Sequence, residues 1–569
     1  MSLHSLGAVG RASEPRARVN RPDERSHARP IARLLLRASC WSLAAFACAA
    51  CMVGPDYSTP PVLLPDAWLD LKNPAPAERA EDARWWTRFD DPVLDALVAQ
   101  ALAQNLSLRA AGLRVIQARA ARGISVGEFF PQQQAATADA GANRLSENTA
   151  VGLGDRSFQN YSIGLQAAWE LDFWGRFRRG IESADAALEA SVADYDAVLV
   201  LLAADVASTY VEIRSLGEQL DFTRANVQAQ ADTLELTDVR FKAGAVSELD
   251  VATARATLAN TQSIVPELED AHRRAMMSLC VLLGRPPADL TSELDGARPV
   301  PTAPPEIALG VPADLLRRRP DVRRAERVAA ALSAQIGVAK ADLYPSVTIT
   351  GATGFQTSTF ESALNSPSAH DLFDSDSFAG FIGLGVNWPL LNYGRIENNV
   401  RAADARFEEA VVAYRNTVLQ AAADVESGLS SFLKNRERSA LLAQSVEAAQ
   451  RTVELSLIQY RQGAADFLRV NQAQVDLVNR QNSLVVARAG IAQGAIDTYR
   501  ALGGGWEAHA GSEFVPRETV DEMRRRTDWG DLLDRDYGKD SDFFFPRPAD
   551  GERSGGQSRG PAAGQDGEP

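Results

Sequence analysis

Two hydrophobic rhythms alternate along this chain. The positions Phe407, Val411, Tyr414, Val418, Ala421, Val425, Gly428 and Phe432 step by 4-3-4-3-4-3-4, and Leu188, Val192, Tyr195, Leu199, Leu202, Val206, Thr209 and Ile213 step the same way. An apolar residue every 3.5 positions keeps one stripe of a helix turned toward a partner, so each series predicts a coiled-coil seam. A helix filling most of 176–243 would extend on the order of 100 Å at ~1.5 Å per residue. A helical pattern returns after Gly244, over 245–283, and likewise after Gly463. Each unit therefore predicts a very long helical hairpin.

Ahead of these hairpins the period falls to two. In "YSIGLQAAWELD" Tyr161, Ile163, Leu165, Ala167, Trp169 and Leu171 share one face, and Ser162, Gly164, Gln166, Glu170 and Asp172 share the other. In "FAGFIGLGVNW" Phe378, Gly380, Ile382, Leu384, Val386 and Trp388 line an apolar face, and "PSVTITGATGF" sets Val347, Ile349 and Phe355 opposite Thr348 and Thr350. Strands about 10–13 residues long suffice to cross a bilayer when tilted. The segment "QQQAATADAGANR" alternates poorly, and its strand is expected mainly from the repeat described next. Aromatic residues near the strand ends, Tyr161, Trp169, Phe378 and Trp388, favour a membrane setting over an exposed soluble hairpin.

The rhythms recur because the chain is duplicated. At an offset of 219, Trp169 meets Trp388, Gly175 meets Gly394, "ADV" 204–206 meets "ADV" 423–425, Gly244 meets Gly463, and "LG" 283–284 meets "LG" 502–503. Upstream the offset is 214, so that "FFP" 129–131 meets "LYP" 343–345. An ordered series at fixed spacing marks two copies of one structural unit. The expected organisation is a leader over 1–50, an extended segment over 51–90, a first unit over 91–284, a linker over 285–310, a second unit over 311–503 and a tail over 504–569. Gly175 and Gly394 fall where strand gives way to helix, and Gly244 and Gly463 where the hairpin reverses, both places for unusual backbone angles. Pro131 and Pro345 mark the passage from helix to strand. "RRRPDVRRAE" 317–326 reads as a turn at Pro320 followed by a solvated helix start, with Asp321 near its N-terminus.

Composition narrows the function. A net charge of −15 argues against nucleic-acid binding, which wants a basic surface. His4, His27, His272, His370 and His509 are scattered without ligand spacing, and no phosphate-binding loop or nucleophile elbow occurs. No enzyme, no metal and no resident cofactor is expected. After residue 51 no run of 18 apolar residues offers a transmembrane helix. Before Cys51 stand Arg29, Arg33 and Arg37 and then "CWSLAAFACAA", the order of a secretory signal. This stretch resembles a bacterial lipoprotein signal, although Cys48 stands where Leu is usual. The resemblance implies that Cys51 becomes the first residue, bearing diacylglycerol and an N-acyl chain. Met52 after it, in place of Asp, implies the outer membrane. Cys280 is expected to be a small buried apolar residue.

Four strands are too few to close a barrel, and open sheet edges are not tolerated in lipid. Closure must come from several chains, and three would supply twelve strands. In this respect, and in "CMVGPDYSTPPV" 51–62, "ELDFWGR" 170–176, "LLRRRPDVRRAE" 315–326, "LYPSVTITG" 343–351, "WPLLNYGR" 388–395, "QYRQG" 459–463 and "ALGGGW" 501–506, the chain resembles the TolC-type outer-membrane factors, in their lipoprotein branch serving drug-exporting pumps. The resemblance covers about residues 51–506. It implies a mainly α fold with a β-barrel portion: a homotrimer whose twelve-stranded outer-membrane barrel continues into a twelve-helix periplasmic tunnel. A periplasmic adaptor and an inner-membrane pump would be its partners. The resemblance places a gate at the hairpin tips, where Asp250 and Tyr460 match family positions. Positions that often carry aspartate hold Arg469 and Gln472 instead, so an acidic ring is not expected. Asp250, Tyr460 and Arg461 or Arg469 are candidates to hold the tips closed by charge-assisted hydrogen bonds. The competing readings are a periplasmic adaptor lipoprotein with coiled-coil hairpins, and an outer-membrane factor for protein or metal export.

Overall fold

The heptad stripes fold as two helices of equal length. In the computed structural model, which describes residues 52–62, 68–69, 83–146, 148, 156–294, 299–305, 317–360, 368–509 and 513–533, the elements follow one another in two similar series. The leader, Cys51 and the tail from 534 onward lie outside the described residues. Helices α1 (Pro92–Gln104) and α2 (Leu106–Gly127) come first, and the side-chain oxygens of Asp91 and Asn105 cap their N-termini. Strands β1 (Gln133–Arg144) and β2 (Ser157–Leu171) lead into α3 (Arg176–Lys242) and α4 (Glu248–Leu282). The second series runs α5 (Pro320–Ala341), β3 (Ser346–Ser358), β4 (Phe378–Asn387), α6 (Arg395–Arg461) and α7 (Phe467–Ala501). A final helix, α8, spans Arg517–Arg526. Helices α3 and α6 have 67 residues each, and α4 and α7 have 35 each.

The four strands form one antiparallel sheet in the order β1-β2-β3-β4. Residues directly opposite in an antiparallel pair point to the same side, so the register assigns each face. Ala136, Ala138 and Ala140 lie opposite Leu165, Ile163 and Tyr161. Trp169 and Leu171 lie opposite Ile349 and Val347, which lie opposite Leu384 and Val386. That face is largely apolar, although Gln134, Thr353 and Thr357 also lie on it. The other carries Asp139 opposite Ser162, Gln166 opposite Ala352, and Glu170 opposite Thr348. From Ala136 onward the poorly alternating β1 does alternate, with alanine as its apolar member.

Helix α3 is the centre of the helical part and packs against α1, α2, α4, α5 and α7. Its predicted seam positions Leu188, Val192, Tyr195, Leu199, Leu202, Val206 and Ile213 are buried, as are Val411, Tyr414, Val418, Ala421, Val425 and Phe432 on α6. Helices α6 and α7 cross closely because a methyl on Gly494 would fall 2.6 Å from the Phe432 nitrogen. Trp85 stacks on Tyr499 at 5.4 Å, and the Tyr210 hydroxyl donates to Asp91 at 2.7 Å, closing the core where the short and long helices meet. Cys280 is buried. Leu290, Leu294 and Val300, from the linker, are buried in the same core.

One expectation is corrected. The turn and helix start at Pro320 are not uniformly solvated, since Arg319 just before it is only 8% exposed and Val322 just after it is buried. The Arg319 guanidinium pairs with both Asp321 oxygens at 3.0 and 2.8 Å and donates to the Ala501 carbonyl at 2.6 Å. The last turn of α7 leaves carbonyls without intrahelical partners, and a buried cation there satisfies one of them.

Candidate functional site

Two places gather the candidate residues: the passage from sheet to helix, and the hairpin tips. At the passage, Gly175 and Gly394 precede α3 and α6, both at φ 79. The Met52 side chain lies over Gly175, where a methyl would come within 2.7 Å of its Cγ. The Val53 amide donates to the Trp174 carbonyl at 3.1 Å. Gly54, at φ 106, meets Gly337 of α5 so closely that a methyl on it would lie 2.5 Å from the Gly337 Cα. Beneath them Arg179, 2% exposed, donates to Asp56 at 2.7 Å, to Glu182 at 2.7 Å and to the Val53 carbonyl at 3.3 Å. The segment then runs down the helices, away from the sheet. Tyr57 and Thr59 donate to Glu326, and Trp68 packs with Val322 and Tyr414. Pro131 and Pro345 stand just before β1 and β3. Arg176 bridges Glu170 and Asp342 at 3.6 Å each, which sets ionised groups on the polar side of the passage.

At the tips, Gly244 (φ 72) and Gly463 (φ 74) take left-handed backbone conformations that a side chain would strain. Tyr460, 1% exposed, points into its own chain. Its hydroxyl donates to Thr237 at 3.3 Å, its ring packs edge-on against Phe467 at 5.8 Å, and the Arg240 guanidinium lies 4.4 Å over it. Arg240 also donates to the Tyr460 carbonyl. Asp250 instead closes a capping box at the start of α4, accepting from the Ser247 amide at 2.9 Å and its hydroxyl at 2.8 Å. The structure therefore does not bring Asp250 and Tyr460 together within one chain. Arg461 and Arg469 are exposed, and Gln472 donates to Asp476 at 3.1 Å on its own helix.

Side chains absent from the sequence reading hold the two hairpins to each other. Gln474 donates to Thr233 at 2.8 Å, Asn226 to Gln481 at 2.7 Å, and Arg488 to Glu218 at 3.0 Å. Thr257 of α4 donates to Asn471 of α7 at 2.7 Å. Gln474, Gln481 and Arg488 recur at intervals of seven, as do Asn226 and Thr233, so a polar heptad stripe was the signal available for this seam. Among the described residues no group of His, Cys, Asp and Glu is placed to hold a metal ion, and no helix is long and apolar enough to cross a membrane.

Comparison with known proteins agrees with this architecture. Nodulation protein T of Rhizobium leguminosarum bv. viciae is 31% identical over 460 residues, covering 81% of this chain and 92% of that protein. The pyoverdine export outer membrane protein OpmQ of Pseudomonas putida is 32% identical over 457 residues, covering 79% and 94%. The solved structure of the outer-membrane channel OprN superposes with a TM-score of 0.73 at 33% identity, over 80% of this chain and all of that one. The profile described as outer membrane efflux protein matches residues 97–285 and 311–504, and the chain belongs to that family.

Proposed function

We propose that this outer membrane efflux protein works as a homotrimeric conduit, passing substrates from a periplasmic adaptor and an inner-membrane pump to the exterior. One observation carries the reading. The sheet has an apolar face and a polar face, and among the described residues its outer strands β1 and β4 each pair on one side only. Such edges demand partners in lipid, and three copies of a four-stranded sheet make a barrel of twelve. The polar face then lines the lumen, and the long helices continue the wall into the periplasm. A periplasmic adaptor would carry one hairpin between soluble β-domains, whereas this chain carries two hairpins on one continuous sheet. The conduit has no reaction to catalyse, and its driving force comes from the pump.

We further propose that Cys51 is the lipid anchor. It is bonded to Met52, which sits on Gly175 at the helical end of the strands, where acyl chains would reach the inner leaflet. The buried Arg179 pairs and the Gly54–Gly337 contact hold that segment in register with the membrane boundary. The gate is assigned to the tips, with Asp250, Arg461, Arg469 and Gln472 available for contacts between copies and Tyr460 holding each copy's own two hairpins together.

Purified mature protein in detergent is expected to sediment as a trimer and to open ion-conducting pores in planar bilayers. A water-soluble monomer without conductance overturns the reading. Metabolic labelling with palmitate is expected to mark the wild type and to miss Cys51→Ser.

A further inference from the structure

The two units meet at one joint inside the chain, and the duplication supplies a second copy of that joint with no partner in it. The repeat holds in detail where helix passes to strand. Trp169 donates to the Phe129 carbonyl and Trp388 to the Leu343 carbonyl, each at 3.1 Å and each within its own unit. Between the units, Trp174 stacks on Tyr344 at 4.6 Å and donates to the Pro345 carbonyl at 2.8 Å. Arg176 pairs with Asp342 at 3.6 Å, and β2 lies against β3. Helix α3 thus packs on α2 of its own unit and on α5 of the next, whereas α6 packs on α5 of its own unit.

Each side of this joint has its counterpart at an outer margin of the chain, and there the same chemistry stands uncovered. Tyr393 takes the place of Trp174 and is 96% exposed, and Phe130 takes the place of Tyr344 and is 42% exposed. Arg395 takes the place of Arg176 and Glu128 that of Asp342, and both are exposed. Aromatic answers aromatic, and both charges keep their sign. On α6, Val412 and Leu419 are 57% and 56% exposed, where α3 buries the corresponding Ala193 and Val200 to 1% and 6%. Tyr393 also stands at φ 51, a strained value for a bulky residue, and its exposed ring makes up none of that strain within its own chain.

We propose that the joint between copies repeats the joint within the chain, the β4–α6 margin of one copy seating on the α2–β1 margin of the next. Tyr393 then stacks on the next copy's Phe130, Arg395 pairs with its Glu128, and Val412 and Leu419 pack against its α2. The strand register follows too. The two hairpins superpose with Ala168 on Asn387 and Gln133 on Ser346. Carrying the β2–β3 pairing across by those correspondences sets Leu384 opposite the next copy's Ala140, Val386 opposite its Ala138 and Ile382 opposite its Ala142. Large side chains meet small ones, and apolar face joins apolar face. A slip of one residue would set every apolar position of β4 against the polar face of β1. This inference rests on the homotrimeric reading and gives that reading its contacts.

The test uses the full chain purified as its oligomer in detergent. Val386→Cys combined with Ala138→Cys, treated with copper phenanthroline, is expected to give covalent trimers on non-reducing gels. Val386→Cys combined with Ala142→Cys, displaced about 13 Å along the strand, is expected to give none. A trimer that links through the Ala142→Cys pair, or through neither pair, overturns the joint alone and leaves the conduit standing. A monomer overturns both. As a second readout, Glu128→Arg and Arg395→Glu are each expected to lower the temperature at which the trimer dissociates, and the double variant to recover the wild-type value. Losses that simply add in the double variant overturn the pairing of Arg395 with Glu128 across the joint.

Discussion

At Asp196 burial and pairing pull in opposite directions. Its carboxyl is buried on α3, and desolvation raises its pKa to about 6, although Arg323 of α5 lies 3.5 Å away and opposes the shift; Glu507 adds to it. A carboxyl whose folded pKa exceeds its unfolded value stabilises the fold fully below the unfolded value, near 4, and loses that contribution as pH rises through 6. Asp196→Asn keeps the shape without the charge. It is expected to stabilise the chain by up to about 3 kcal/mol at pH 8, with the gain vanishing near pH 4. Denaturation midpoints across that range check this, and a variant that tracks the wild type at every pH refutes it. Arg179 and Arg319 show the opposite solution. Each buried guanidinium there faces carboxylates and carbonyls, so its charge is compensated where it stands.

At the scale of elements, the tips divide into a shared part and a private part. Arg240 and Tyr460 join α3 to α6, so Arg240→Ala is expected to loosen both tips. Asp250 serves the N-terminus of α4 alone, and Asp250→Ala is expected to cost about 1 kcal/mol there and leave the second tip unchanged. Hydrogen exchange over 232–247 and 455–470 separates the two, and equal loosening by both variants contradicts the division. Helices, hairpin turns and three strands were legible because heptads, glycines and bulky alternation leave strong local marks. Strand β1 was faint because alanine contrasts weakly with Gln, Thr and Gly, and only its register with β2 shows that Ala136, Ala138 and Ala140 share a face with Leu165, Ile163 and Tyr161. The inward turn of Tyr460, the burial of Arg319 and the donation of Arg119 on α2 to the Leu532 carbonyl depend on partners 223, 182 and 413 residues away. No local pattern announces such partners.

At the scale of the whole molecule, inside and outside are assigned by the sheet alone, and adjacent residues of one strand test that assignment. Leu165, 61% exposed, lies on the apolar face between Ala136 and Thr353, and Gln166 lies on the polar face between Ala135 and Ala352. If the apolar face meets lipid, an arginine at Leu165 must hold a charge in hydrocarbon, at about 2–4 kcal/mol per copy near the midplane. An arginine at Gln166 would project into a water-filled lumen and meet little penalty. The penalty recurs in every copy, so a trimer multiplies it where a monomer does not. Leu165→Arg is therefore expected to abolish the heat-resistant oligomer in outer-membrane fractions, and Gln166→Arg to preserve it with altered ion selectivity. The reverse pattern would turn the sheet inside out. Equal tolerance at both positions would place both faces in water and remove the need for a closed barrel.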